Sequence, residues 1–151
     1  MHPYPHTYIA AAGGDTTGVV AVTSADRPVL QTAAPPEFEG PLGVWSPETL
    51  LCASLADCFI LTFRALTRAA RFNWLHLECR VEGVLERVER TAEFTRFKTF
   101  ANLVVPSGTD VGTARRFLEQ AEHACLIANS LRGSRTLEAL VTMKDGSGST
   151  S

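Results

Sequence analysis

A chain of 151 residues that is 45% apolar is long enough for one packed domain and too apolar to be disordered. Fourteen basic against sixteen acidic residues give a net charge of −2 with no long run of either sign, so the footprint expected for DNA or RNA binding is missing. The N-terminal MHPYPHTY has neither the basic region nor the apolar core of a signal peptide, which predicts a cytoplasmic protein whose four cysteines are thiols at rest.

Residues 1–8, with two prolines and two histidines, read as an irregular arm. β-Branched runs at Val19–Thr23 and Val29–Thr32, broken by Gly13-Gly14 and Ala25-Asp26, predict a meander of three short strands joined by tight turns. Gly13-Gly14 is no phosphate loop, because neither Lys-Ser/Thr nor a helix follows it. From Ala33 to Trp45, three prolines and two glycines predict a loop with no helix or central strand.

The loop leads into SPETLLCASLADCFILTFRALTRAAR, which the pattern predicts to be one helix from Ser46 to Arg71. Ser46 can cap the first turn, Pro47 suits the first helical position, and Glu48 sits at the positive end of the dipole. Between Leu50 and Leu66 the only charges are Asp57 and Arg64, so the helix is apolar on nearly every side and needs cover on nearly every side. A membrane span is not expected: Ser54, Asp57 and Thr62 interrupt a run shorter than the roughly 20 apolar residues that crossing takes.

Beyond the helix, Leu75, Leu77, Cys79, Val81, Gly83 and Leu85 alternate with polar residues from Trp74 to Leu85, which predicts a strand with one buried face. The charged segment Glu86–Glu93 reads as a solvated turn, and Phe97, Thr99, Ala101, Leu103 and Val105 repeat the alternation, completing a hairpin. Thr109 or Asp110 can cap a helix whose apolar positions are Val111, Ala114, Phe117, Leu118, Ala121 and Ala124. A short second helix over Cys125–Leu131, ended by Gly133, and a strand over Leu137–Met143 follow, and residues 144–151 read as a flexible tail. The order is α+β rather than doubly wound, in a single domain of residues 1–151. With no C-x-x-C, neither a metal site nor a cofactor is expected.

A helix opening with Pro47-Glu48, a cysteine ten residues after that glutamate at Cys58, and a later Cys125 followed by Ile127-x-Asn129-Ser130-Leu131 resemble the OsmC/Ohr family of thiol-dependent hydroperoxide reductases. The resemblance covers about Pro35 to Val141, with Leu126 standing where the family usually has proline. It implies an intertwined homodimer with strands wrapped around a long buried central helix. It also implies Cys58 as the peroxidatic residue, Cys125 as the resolving one, and a dithiol reductant, lipoyl-type or thioredoxin-like. A glutamate at the Glu48 position pairs in the family with an arginine from the N-terminal strands that stabilises the thiolate. Arg27, the one arginine before Arg64, is the candidate here.

Chemistry asks the same of the residues. A thiolate must attack the O–O bond, although a free cysteine has a pKa of about 8.5. The resulting sulfenic acid needs a second thiol to trap it before further oxidation. Cys52, six residues before Cys58, is rotated from it by about 240° on a helix and is no natural partner. Glu48 lies about 15 Å along the helix from Cys58, so it can serve that site only from a second chain. Phe38, Trp45 and Phe59 are candidate pocket walls for an organic or lipid hydroperoxide. The alternative is a non-enzymatic protein of the same fold that binds a small apolar ligand.

Overall fold

The structure, a computed structural model, describes residues 1–144 and 148–150. It has two compact units, Met1–Leu51 and Cys52–Ser151, divided within the long helix. The first unit holds an antiparallel sheet of β1 (Ala11–Gly13), β2 (Val20–Thr23) and β3 (Leu30–Thr32), in that order. The predicted meander is present, although β1 has no β-branched residue and owes its conformation to pairing, Ala12 opposite Val22. The loop after β3 departs from expectation at Pro36–Phe38, which forms one 3-10 turn. Proline fixes the backbone of its first residue, and the Phe38 N–H donates to the Pro35 carbonyl at 2.9 Å. Ser46 caps the long helix as the sequence predicts, its Oγ accepting the Thr49 N–H at 3.2 Å.

That helix, α1, runs from Pro47 to Ala69. The second unit contains its larger part, followed by β4 (His76–Val88), β5 (Thr91–Val105), α2 (Val111–Ala124), α3 (Leu126–Asn129), β6 (Ser134–Met143) and β7 (Gly148–Thr150). The strands form one sheet in the order β4-β5-β6-β7. β4 and β5 are an antiparallel hairpin, β5 and β6 run parallel, and β7 returns antiparallel to β6. Parallel pairing needs a long crossover, and α2 and α3 supply it. The core consists of Phe59 and Phe63 of α1, the inward residues Leu77, Ala101, Leu103, Val105, Ala139 and Val141, and Ala114, Leu118 and Ala121 of α2. Thr67 is buried as well. Its hydroxyl donates to the Phe63 carbonyl at 2.8 Å and accepts the Trp74 indole N–H at 2.9 Å, so both polar groups are satisfied.

Several boundaries differ from the sequence reading for local reasons. The hairpin continues through most of the charged segment, because the turn needs only Glu89 and Arg90, both at positive φ. A bulge at Val84/Leu85 reverses the alternation, leaving Leu85 exposed. Asp110 caps α2, accepting the Thr113 N–H at 3.0 Å. Within the expected tail, Gly148–Thr150 pairs with Leu140–Thr142, whose outer edge offers free backbone groups; residues 145–147 and 151 lie outside the described residues.

α1 is covered less than its composition demands. Leu55, Phe59, Phe63 and Thr67, spaced by four, form the one fully buried stripe, while Leu61 is 50% exposed. At 23 residues it is long and apolar enough to cross a bilayer by length and composition, a test that the core helix of a soluble protein also passes. Its packed stripe in the core cluster identifies it as a core helix.

α1 lies against β4 at Gly83, where an added Cβ would lie 2.9 Å from Cys52 Sγ and 3.0 Å from the Phe94 ring. Gly83→Ala is therefore expected to destabilise the fold by about 1–3 kcal/mol. Urea denaturation checks it, and an unchanged midpoint would contradict the packing described.

Candidate active site

Two cysteines far apart in the sequence meet in the second unit. Cys58 projects from the middle of α1, half buried, with its Sγ 3.8 Å from the Thr62 hydroxyl one turn on. Cys125 is the hinge residue between α2 and α3, with extended backbone (φ −63°, ψ 107°), and is 1% exposed. Its thiol lies near enough to Cys58 for the two groups to interact. All four cysteines are free thiols.

Their surroundings separate the thiols. Burial pushes the Cys125 thiol up to about 11, with its hydrogen bond to Cys58 and the Cys58 charge acting in the same direction, against the backbone N–H groups of Ala128 and Ile127. Burial pushes Cys79, on the inward face of β4, to about 12, with the charges of Glu122 and Cys125 adding to it. Cys52 is also raised by burial, opposed by the Gly83 N–H. Cys125 therefore rests as a neutral thiol beside Cys58, able to donate its S–H.

A small cavity of about 10 Å³ adjoins Cys125, walled by Leu55, Phe59, Phe97, Thr99, Glu122 and Arg135, among others. Phe59, a predicted pocket wall, thus stands beside Cys125, 1% exposed. Phe38 and Trp45 belong to the first unit, where both are exposed. Arg27, also in that unit, is in an exposed turn, its Nη1 donating to the Ala25 carbonyl at 2.6 Å and to Ser24 Oγ at 3.4 Å. Glu48, in the first turn of α1, has a buried Oε1 that accepts no hydrogen bond among the described residues. Among those residues no group of three or more His, Cys, Asp or Glu is placed to hold a metal ion.

Glu122 and Arg135 are site residues that the sequence reading missed. Arg135 Nε donates to Glu122 Oε1 at 2.9 Å, Nη1 donates to Asn129 Oδ1 at 2.8 Å, and Nη2 donates to the Glu122 carbonyl. Asn129 Nδ2 donates in turn to the His123 carbonyl at 3.0 Å. A signal was present. Glu122 lies four residues after Leu118 on the apolar face of α2, and Arg135 shares the inward parity of Leu137, Ala139 and Val141, so two opposite charges point toward the core.

Comparisons with known proteins bear on the fold and the family. The chain is 22% identical over 144 residues to the uncharacterized protein YmaD of Bacillus subtilis, covering 93% of this chain and 96% of that one. An OsmC-like protein of unknown function from Vibrio cholerae superposes with a TM-score of 0.80 at 16% identity, over 89% of this chain and 99% of that one. An organic hydroperoxide resistance protein from Legionella pneumophila gives 0.72 at 24% identity (92% and 98%), and another from Elizabethkingia anophelis gives 0.75 at 19% (93% and 98%). The family model for OsmC-like protein matches residues 40–139, a span that holds α1 with Cys58, the hairpin, and the α2–α3 hinge with Cys125. By that match across most of its length, the chain belongs to the OsmC-like family.

Proposed function

We propose that the protein is a thiol-dependent peroxidase that reduces organic or lipid hydroperoxides. The observation that carries this reading is that the Cys58 and Cys125 thiols, 67 residues apart in the sequence, are near enough to interact. In the first step the Cys58 thiolate attacks the terminal peroxide oxygen, the O–O bond breaks, and the alkoxide takes a proton to leave as an alcohol. Charge on Cys58 Sγ can be met by the Thr62 hydroxyl and the Cys125 S–H. In the second step Cys125 attacks the sulfenic sulfur, closing the disulfide and releasing water. A dithiol reductant, lipoyl-type or thioredoxin-like, then restores both thiols. No cofactor enters, and the cytoplasm, with its reducing thiol pool, suits the cycle.

A cavity of about 10 Å³ beside Cys125 does not admit such a substrate, so the hydroperoxide is assigned to the more open side of Cys58. Phe59, Phe38 and Trp45 are proposed as pocket walls, and Arg27 and Glu48 as the pair that holds the thiolate. The orphaned Glu48 Oε1 supports a donor arriving from elsewhere, since a buried unsatisfied oxygen costs about 1–3 kcal/mol. Together with the half-covered α1, it supports a homodimer in which each chain, a single functional domain, completes its partner's site. Glu48→Ala and Cys58→Ser chains refolded together are expected to recover activity in mixed dimers. A folded monomer at micromolar concentration by light scattering would overturn the dimer.

The pH dependence of resolution follows from Cys125. Its raised pKa keeps the thiolate scarce at neutral pH, so each unit of rising pH multiplies that fraction by about ten until the pKa is reached. Oxidation of Cys58 to a neutral sulfenic acid removes the charge that helps to hold Cys125 high. Disulfide closure in stopped-flow measurements is therefore expected to accelerate from pH 7 and level off at or below about 11. A flat profile would contradict this.

A second reading, an apolar-ligand binder without turnover, is favoured by the local hydrogen bonds of the exposed Arg27. Mixing the reduced protein with one equivalent of cumene hydroperoxide decides between them: loss of two thiols per chain supports the peroxidase, and unchanged thiols support the binder.

A further inference from the structure

We propose that Arg135 is a positioning residue for Cys125, clamping the hinge on which the resolving thiol is carried and so setting its effective concentration at Cys58. This rests on the thiol reading of the Cys58–Cys125 pair but not on peroxide as the oxidant.

The last turn of α2 and the first residues of α3 converge on Cys125, whose extended backbone breaks the helix between them. Such a joint has several ways to bend, and α3, at four residues, is too short to hold itself in place. Arg135 reaches the joint from β6, the strand paired in parallel with β5, so the clamp is anchored on the sheet and not on the hinge. Its three donor nitrogens engage both sides of the joint. Glu122, with its carboxylate and its carbonyl, lies before Cys125, and Asn129 Oδ1 lies after it. Asn129 closes the ring by donating to the His123 carbonyl across the hinge. The carbonyls of Glu122 and His123 belong to the end of α2, where four carbonyls lack helical partners. The pair is mostly buried, with the side chains of Arg135 and Glu122 23% and 15% exposed, and both line the cavity that adjoins Cys125. Charge-assisted bonds in such a setting are short and directional, and the planar guanidinium fixes direction in a way that an ammonium does not.

Clamping matters because two sulfurs must come from contact to bonding distance, and misplacement at the ångström scale lowers effective molarity by orders of magnitude. The clamp is expected to act on closure of the disulfide and not on the attack of Cys58 on an oxidant, since Arg135 bonds to neither sulfur among its contacts.

The test is the Cys58–Cys125 disulfide equilibrium in glutathione redox buffers, read by alkylation and mass spectrometry on wild type, Arg135→Met and Arg135→Lys, with thermal melting in parallel. Arg135→Met keeps the apolar stem and removes every donor. We expect it to lower the equilibrium constant for disulfide closure about tenfold, which corresponds to about 30 mV. Arg135→Lys should recover part of that loss. The Cys58→glutathione mixed disulfide should form at the wild-type rate in both variants. A closure constant within twofold of wild type in Arg135→Met, or equal slowing of mixed-disulfide formation and closure, would overturn the clamp. If Arg135→Met fails to fold, Glu122→Gln, which keeps the shape of the partner and removes its charge, should give a smaller loss of closure in the same assay, and no loss would overturn it. A wild type that closes the disulfide in glutathione yet ignores cumene hydroperoxide would remove the peroxidase reading and leave this one standing.

Discussion

Replacing Cys58 with serine is expected to lower hydroperoxide consumption at least about a thousandfold, the scale on which loss of a catalytic nucleophile registers. A serine hydroxyl is far from ionised at neutral pH and lacks the soft sulfur that attacks a peroxide oxygen. The fold should tolerate the change, since the half-buried Cys58 has the Thr62 hydroxyl and Cys125 as polar neighbours and serine can bond to both. Cys52→Ser and Cys79→Ser should keep most of the activity. Cys52 packs against Gly83, and Cys79, raised to about 12, is a protonated strand residue at working pH. Consumption of cumene hydroperoxide with excess dithiol reductant measures all three variants. Near-normal turnover in Cys58→Ser would sink the assignment.

Cys125→Ser is expected to complete about one turnover per chain and then stop under excess peroxide. Its Cys58 still reaches the sulfenic acid, but no thiol in contact can capture it, and oxidation continues to sulfinic acid, which an ordinary dithiol does not reverse. Cys79 cannot substitute readily, because its thiolate is scarcer than that of Cys125. Mass spectra of the treated variant should show added oxygen on Cys58. A disulfide between Cys58 and another cysteine would contradict the expected isolation of the pair.

Much of this arrangement was legible in the residues. Ser46-Pro47 marked the start of α1, Asp110 the start of α2, and every alternate residue from Phe97 to Val105 is buried as the period of two requires. Each is a local signal. What escaped was decided between elements. The bulge at Val84/Leu85 turns on the register against β5, and Gly148–Thr150 became a strand because β6 had an edge to pair with. The Glu122–Arg135 pair joins a helix to a strand across the hinge, and its two charges look solvated until each is placed on its buried face. Cys58 and Cys125 were linked through family resemblance alone, since no spacing rule joins a helix interior to a distant hinge.

The most direct measurement of the central claim is a non-reducing peptide map of the protein after one equivalent of cumene hydroperoxide. The account predicts one dominant intramolecular cross-link, Cys58 to Cys125, absent from untreated protein and removed by a dithiol. Peptides carrying both residues as free thiols after the peroxide has been added, or a principal cross-link through Cys52 or Cys79, would contradict it.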